Sequence, residues 1–397
     1  MSEESLPIGG QVMTKPFKVL MGFALFAGFL ALIRFVFGLA SVTTLSDGYP
    51  WGIWIAYDVV AGTAIACGGY SMALLVYVLN KGEYHGLVRP ALLAGMFGYT
   101  LAAVSIMFDI GRYWQAYNLF LPWHFNVNSI LFEVAFCVTT YMIVLWIEFA
   151  PAFLEGFIKN KENLPAFVQK FVEKWDVTGL QKTLNKFLFF FIAVGVLLPT
   201  MHQSSLGTMM IIAGKKLSPL WQTSFLPLLF LITAIAMGYA IVIFESLYSS
   251  MGLKRPLETS MLSKLSGIMP WLIGVYLIIR FADLIMRGAL AAPLRFDLNG
   301  VMFIIENALY LYAFIILLSA ANRSRPRSLF LAAVSLLAAG SVYRFNVYLI
   351  AYNPGPSWHY FPAFSEIMIT LGLISFEIMA YLYIVKKFPV LPKIEHA

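Results

Sequence analysis

Charge is what this chain has least of. Asp, Glu, Lys and Arg make up 12% of its 397 residues, against about 25% in an ordinary soluble domain. That shortage excludes a water-soluble globular protein of this length. Cysteine is scarcer still. Cys67 and Cys137, both inside apolar runs, exclude a disulfide framework and any Cys-rich iron–sulfur or zinc motif. Five histidines occur, and no Cys-x-x-Cys-His string is present to attach a haem. No apolar run holds two histidines that could face one another across a haem. Flavin and nucleotide fingerprints are missing too.

What fills the chain is apolar. Hydrophobic residues account for 60% of it, with a mean hydropathy of +0.80. About ten runs are long enough to cross a bilayer: 17–40, 51–79, 88–110, 126–150, 184–205, 223–247, 262–287, 298–321, 328–351 and 364–387. The expected fold is therefore an all-α polytopic membrane protein. The start, MSEESLPIGGQVMTKPFK, is too polar and acidic for a cleaved signal peptide, so the first span reads as a retained anchor. Most of the 27 basic residues fall at the two termini and behind the even-numbered spans, as with Lys81, Arg89, Lys159, Lys182, Arg323 and Arg327. The positive-inside rule then places both termini in the cytoplasm. The net charge of +7 reports orientation and does not call for a nucleic-acid partner.

A weak internal repeat subdivides the spans. FDIGRYW after span three answers FADLIMR in span seven, and NVNSILFE answers DLNGVMFIIE, each with a membrane carboxylate, Glu133 and Glu306. Two parallel four-helix bundles result, spans two to five and six to nine, with spans one and ten outside; chance likeness among apolar segments is the alternative. The division is 1–50 for the N-terminus and first helix, 51–205 and 206–351 for the bundles, and 352–397 for the last helix and tail. One long polar connection, 155–183, carries Phe167, Phe171, Val172 and Trp175 at helical spacing. It reads as an amphipathic helix on the inner leaflet or as a solvated loop. The opposite connections are rich in aromatic residues, as an interfacial belt requires. They also gather His124, Asn126, Asn128, His202, Gln203 and His359, which a belt does not need, and suggest a polar pocket or docking surface.

Ionisable residues inside the spans are costly, about 2.5–3.5 kcal/mol each on insertion scales, and are normally turned inward and used. Counted at 1.5 Å per residue from outer ends at Trp51 and Asn126, Asp58 and Glu133 lie about 10 Å deep. Arg280 and Glu306 share that depth on consecutive antiparallel spans, so an ion pair is expected. Asp58 and Glu133 have no such partner near in sequence. Desolvation favours the uncharged form of an acid, which suits a group passing protons on; interhelical hydrogen bonding is the plainer role. Glu245 and Glu148 sit near the cytoplasmic ends of their spans as interfacial carboxylates, or, for Glu245, as the mouth of a proton path. Tyr99, at mid-depth, either bridges such a path or bonds to backbone.

The strings FGLASVTTLSDGYPWGIWIAYDVVAGTAIACGGYS, LVRPALLAGMFGYTL, HFNVNSILFE, LPTMHQSSLG and SPLWQTSFLPLLFL strongly resemble the polysulfide-reductase/NrfD family of membrane subunits. Within it the chain is most similar to the membrane subunits of hydrogenase-2 type [NiFe] uptake hydrogenases. The likeness covers nearly the whole chain, the lengthened 155–183 connection apart. It implies a quinone-reactive subunit of the bacterial inner membrane with no haem or iron–sulfur cluster of its own. Its partners would be a periplasmic ferredoxin-like iron–sulfur subunit and the small and large subunits of a [NiFe] hydrogenase. The family's acidic residues and tyrosine match Asp58, Tyr99, Glu133 and Glu245, a proton path. Quinone carbonyls need hydrogen-bond donors near the outer face: His202, Gln203 and Ser204 first, then His124, Asn126 and Asn128. A hydrogen-fed chain favours menaquinone. Competing readings are another periplasmic oxidoreductase of the family, a secondary transporter, a haem-bearing cytochrome b and a pure membrane anchor.

Overall fold

The computed structural model describes residues 5–159, 169–170, 174, 176–253 and 259–392. The expected amphipathic helix through Phe167, Phe171, Val172 and Trp175 lies outside the described residues. Among those described, ten helices are long and apolar enough to cross a membrane. They are α1 (Lys15–Phe37), α2 (Trp54–Val78), α3 (Gly82–Asp109), α4 (Ile130–Lys159), α5 (Val177–Ile212), α6 (Leu226–Gly252), α7 (Thr259–Met286), α8 (Leu298–Leu318), α9 (Pro326–Ile350) and α10 (Phe364–Lys387). In hydrocarbon every backbone N–H and C=O must be satisfied within its own segment, which leaves such runs no alternative to helix. Outside the helices a two-residue antiparallel ladder pairs Ser5–Leu6 with Leu391–Pro392. It joins the two ends of the chain on one side of the helices.

Consecutive helices pack as antiparallel neighbours, α2 on α3, α3 on α4 and α4 on α5. A second ring runs α6, α7, α8 and α9, with α9 closing back on α6. The rings meet where α2 crosses α6, and α1 and α10 pair outside. Gly238 permits the α2–α6 crossing: a Cβ there would lie 2.1 Å from Ser71 Oγ and 2.5 Å from the Cys67 carbonyl. Gly238→Ala is expected to cost about 1–3 kcal/mol by overpacking, read as a lower unfolding temperature in detergent.

Two helices depart from the sequence expectation. α5 runs on to Ile212, past Pro199 in its interior. The HQSS segment, expected in an outer connection, therefore lies inside a helix. α4 begins at Ile130, so Glu133 stands in its first turn, and the depth of about 10 Å counted from Asn126 is too great. The Asn126–Ser129 stretch is a turn, in which Ser129 N–H donates to the Asn126 carbonyl. α2 is irregular: Trp54–Ala61 and Leu74–Val78 are π-helical, and a turn at Ala66–Cys67 separates its two α-helical pieces. Asp58 sits within the first π-helical stretch. Such wide turns cluster at functional sites.

The expected ion pair is present in the second ring. Arg280 Nη2 lies 3.8 Å from Glu306 Oε1, both side chains fully buried. Glu306 also accepts hydrogen bonds from Asn346 Nδ2 at 2.8 Å, Trp221 Nε1 at 2.9 Å and the Tyr276 hydroxyl at 3.2 Å.

Candidate functional site

His202 and Gln203 lie at the centre of the molecule, completely buried where α2, α3, α5 and α9 converge. His202 Nδ1 donates to the Leu198 carbonyl one turn back, at 3.0 Å. A carbonyl only accepts, so the neutral ring presents Nε2 as an acceptor. The Tyr99 hydroxyl of α3 meets it at 3.0 Å and the Gln203 amide at 3.1 Å. Gln203 Nε2 also donates to Thr63 Oγ1 of α2 at 2.9 Å, and its Oε1 accepts from Arg344 Nη2 of α9 at 3.3 Å. Cys67 Sγ is 3.5 Å from the Tyr99 hydroxyl. Arg344 is anchored by the Phe230 carbonyl at 3.0 Å and Thr233 Oγ1 at 3.2 Å, both on α6. One connected set of polar groups thus ties the two rings together. Networks of this kind fix a single packing arrangement when every member is satisfied.

From this centre Tyr99 leads towards the end that bears the termini. Its ring packs edge-on against Tyr141 of α4, centroids 4.5 Å apart, and Tyr141 lies within electrostatic reach of Glu148. Glu148 itself packs against Gly195 of α5, where a Cβ would come 2.6 Å from its Oε1.

The two carboxylates stand apart from each other, each with its own hydroxyl donors. Ser205 Oγ of α5 donates to Glu133 Oε1 at 2.7 Å. Ser204, expected to face quinone, instead bonds back to the Thr200 and Met201 carbonyls of its own helix; its neighbour Ser205 makes the contact across helices. Asp58 Oδ2 accepts from Thr370 Oγ1 of α10 at 3.0 Å and from Ser105 Oγ of α3 at 3.3 Å. Glu245 faces Tyr381 and Glu377 of α10. The structure thus brings Tyr99, His202 and Gln203 together and keeps Asp58, Glu133 and Glu245 as three separate stations. His124, Asn126 and Asn128 are exposed on the loop before α4, beside the exposed rings of Trp123, Tyr117 and Trp114.

Above Asp58 the segment 42–53 is fastened to the start of α10 by Glu366. Its Oε1 accepts from the Tyr360 hydroxyl at 2.6 Å, and its Oε2 from Ala363 N at 2.8 Å and Thr44 N at 3.2 Å. The Tyr360 oxygen in turn accepts from Ile53 N at 2.9 Å. Burial, with the Glu366 carboxylate beside it, holds the Tyr360 phenol above its ordinary pKa, so it remains a donor at neutral pH. Glu366→Ala is expected to free this cover and to raise amide exchange across residues 42–53, measured by hydrogen–deuterium exchange.

Beneath that cover lies a cavity of about 150 Å³ between α2, α3 and α10. Asp58 and Ser105 line it, with Gly62, Ala66, Gly98 and Ala102 as small walls and Glu377 on the α10 side.

Residues 41–353 match the family described as polysulphide reductase, NrfD. The chain belongs to the NrfD family. It is 44% identical, over its full length and 97% of the relative, to the Escherichia coli protein named "Probable Ni/Fe-hydrogenase 2 b-type cytochrome subunit". It is 30% identical to the menaquinone reductase integral membrane subunit of Nitratidesulfovibrio vulgaris, over 67% of this chain and 60% of that one. A selenate reductase subunit of Mesobacillus selenatarsenatis is 22% identical over 74% of this chain and 70% of its own length. The ten apolar helices and NrfD membership together make this a multi-pass integral membrane protein.

The NrfD segment contains Asp58, Tyr99, Glu133, His202, Gln203 and Glu245, whereas α10 and Glu377 lie beyond it. The name of the Escherichia coli relative carries the label of a b-type cytochrome, and the described residues do not suit that group. Haem b in a helical bundle takes paired axial ligands. His202 has both ring nitrogens engaged, and His85, His124 and His359 are exposed. Sequence reasoning places His202 at the outer margin; it lies in the core because Thr63, Tyr99 and Arg344 satisfy the HQ pair there. The same reasoning misses Glu377, although a lone carboxylate in the apolar string LGLISFEIMAYLYIV is signal enough.

Proposed function

We propose that this NrfD protein is the quinone-reactive membrane subunit of a [NiFe] hydrogenase complex in the bacterial inner membrane. Electrons reach it from a periplasmic ferredoxin-like iron–sulfur subunit, fed by the hydrogenase small and large subunits, and pass to menaquinone. The full-length likeness to a hydrogenase 2 subunit supports the assembly, and the likeness to a menaquinone reductase subunit supports the acceptor. Both termini then face the cytoplasm, in keeping with the basic residues at that end. The division into bundles at 51–205 and 206–351 is kept in this reading, with the quinone on the side of the first.

The observation that carries the proposal is the cluster of Tyr99, His202 and Gln203 in an otherwise apolar bundle, with the separate Ser205–Glu133 pair one turn along α5. Quinone reduction consumes two electrons and two protons, Q + 2e⁻ + 2H⁺ → QH₂. The donor supplies the electrons, and side chains must deliver the protons to a site that excludes water. In this reading the Gln203 amide donates to the quinone carbonyl in place of its bond to His202, and His202 donates to it from Nε2 once that nitrogen takes up a proton. Ser204 and the exposed His124, Asn126 and Asn128 are assigned to the mouth of the site, where quinone and the iron–sulfur partner approach. Glu133 supplies protons through Ser205, and Asp58, Tyr99 and Glu245 continue the path towards the cytoplasm. Protons drawn from that side would couple reduction to the membrane potential.

The test is Glu133→Gln in the assembled complex, reconstituted in liposomes. Hydrogen-driven reduction of a menaquinone analogue is expected to fall about 10²-fold, the usual worth of a positioned acid–base group, while hydrogen-to-dye activity persists. Unchanged quinone reduction would contradict the proposal. Attachment to a different periplasmic oxidoreductase is the second reading, favoured by the likeness to a selenate reductase subunit; identification of the proteins that co-purify decides between them.

A further inference from the structure

We propose that Glu377 of α10 is a relay carboxylate of the proton path, facing Asp58 across the cavity between α2, α3 and α10 and passing protons to it from Glu245. This rests on the proposed quinone function and adds to it a residue outside the segment that defines the family.

Three observations converge on Glu377. It lines the same cavity as Asp58, within electrostatic reach of that carboxylate. It also lies within electrostatic reach of Glu245. Tyr381, one turn further along the same face of α10, meets Glu245 as well. Glu377 makes no hydrogen bond to any described residue, and Glu245 Oε1 is buried without a partner. Buried polar atoms are almost always paired with protein or ordered water, so the bare Glu245 oxygen marks a place for water; Glu245 lies outside the cavity lining, whereas the partly buried Glu377 belongs to it. A cavity of about 150 Å³ exceeds what a single water needs, and Asp58, Ser105 and Glu377 offer it polar partners.

Depth along α10 orders the stations. Glu377 lies roughly 16 Å below Glu366 at 1.5 Å per residue, between Asp58 near the outer end and Glu245 near the inner one. Gly98 of α3 packs against both neighbours: a Cβ there would stand 2.6 Å from Ala66 Cβ and 3.3 Å from Glu377 Oε1. Among the described residues no Lys or Arg forms an ion pair with any of the three acids. A row of carboxylates with no counter-cation strongly disfavours two charges at once, so a single vacancy passes along it. In each transfer the Glu377 carboxylic acid gives its proton through cavity water to the Asp58 carboxylate. It regains one from Glu245, through the Tyr381 hydroxyl or water, and Glu245 is refilled from the cytoplasm. The plainer role, a carboxylate holding α10 against the first bundle, lacks the hydrogen bonds that such a role requires.

The experiment uses the complete complex in liposomes loaded with a pH dye, with hydrogen as donor and a menaquinone analogue as acceptor. Wild type, Glu377→Gln, Glu377→Asp and Asp58→Asn are compared. Glu377→Gln is expected to slow quinone reduction and loss of interior protons together by about tenfold or more. Hydrogen-to-dye activity and the make-up of the complex should hold, and Glu377→Asp, which keeps the ionisable group, should recover most of the rate. Wild-type behaviour of Glu377→Gln beside a slow Asp58→Asn would overturn the Glu377 assignment alone. Equal loss in Glu377→Gln and Glu377→Asp would overturn it as well, because shape and not the proton would then matter. Wild-type rates in Glu377→Gln and Asp58→Asn alike would remove the proton path of the proposed function itself.

Discussion

His202→Phe is expected to abolish hydrogen-driven quinone reduction, leaving about one per cent or less of the wild-type rate, while hydrogen-to-dye activity is retained. The ring nitrogen lost is the one that accepts from both Tyr99 and Gln203. Phenylalanine fills the volume but leaves the Tyr99 hydroxyl without its acceptor. An unpaired buried donor costs about 1–3 kcal/mol, so some loss of thermal stability should accompany the loss of rate. His202→Gln, which restores an acceptor, separates the two effects: stability should recover more than activity does. Parallel recovery of both would reduce His202 to a packing residue. The assay is steady-state reduction of a menaquinone analogue, with unfolding temperature measured on the same preparation.

The largest expected effect on stability is Glu306→Ala, about 3–5 kcal/mol, because it leaves Arg280 buried and uncompensated. The arginine gains some relief from the rings of Phe303 and Tyr343, 5.1 and 5.7 Å from its guanidinium carbon, but these cannot replace a charge. Asn346, Trp221 and Tyr276 would lose their shared acceptor as well. Failure of the protein to accumulate in membranes, or a large drop in unfolding temperature, is the expected result. The double variant Arg280→Met with Glu306→Met removes both charges and should regain most of the loss, since apolar replacements of buried pairs are often neutral or better. A double variant as unstable as the single one would show that the polar partners, and not the charge, carry the cost.

The spans and the Arg280–Glu306 pair are legible in the sequence for physical reasons. Apolar length reads out directly as membrane span, and neighbouring antiparallel helices bring residues of equal depth together. The central site is not legible. His202 and Gln203 look like loop residues because nothing near them in sequence satisfies them. Their partners Thr63, Tyr99 and Arg344 come from three other helices, 103 and more positions away. Glu133 reads as too deep because the polar turn before Ile130 looks like the beginning of a span. Ser205, which reaches Glu133, differs from Ser204 only by the face of α5 on which it falls. Glu377 goes unmarked because α10 stands outside the repeat, yet that helix lines the cavity beside Asp58.

The central claim is that electrons reach quinone through this protein. The most direct measurement compares hydrogen-driven reduction of a menaquinone analogue by the complete purified complex with that of the same complex lacking this chain, each normalised to hydrogen-to-dye activity. Quinone reduction confined to the complete complex, with dye reduction in both, is the predicted result. Equal quinone reduction without the chain would contradict the account.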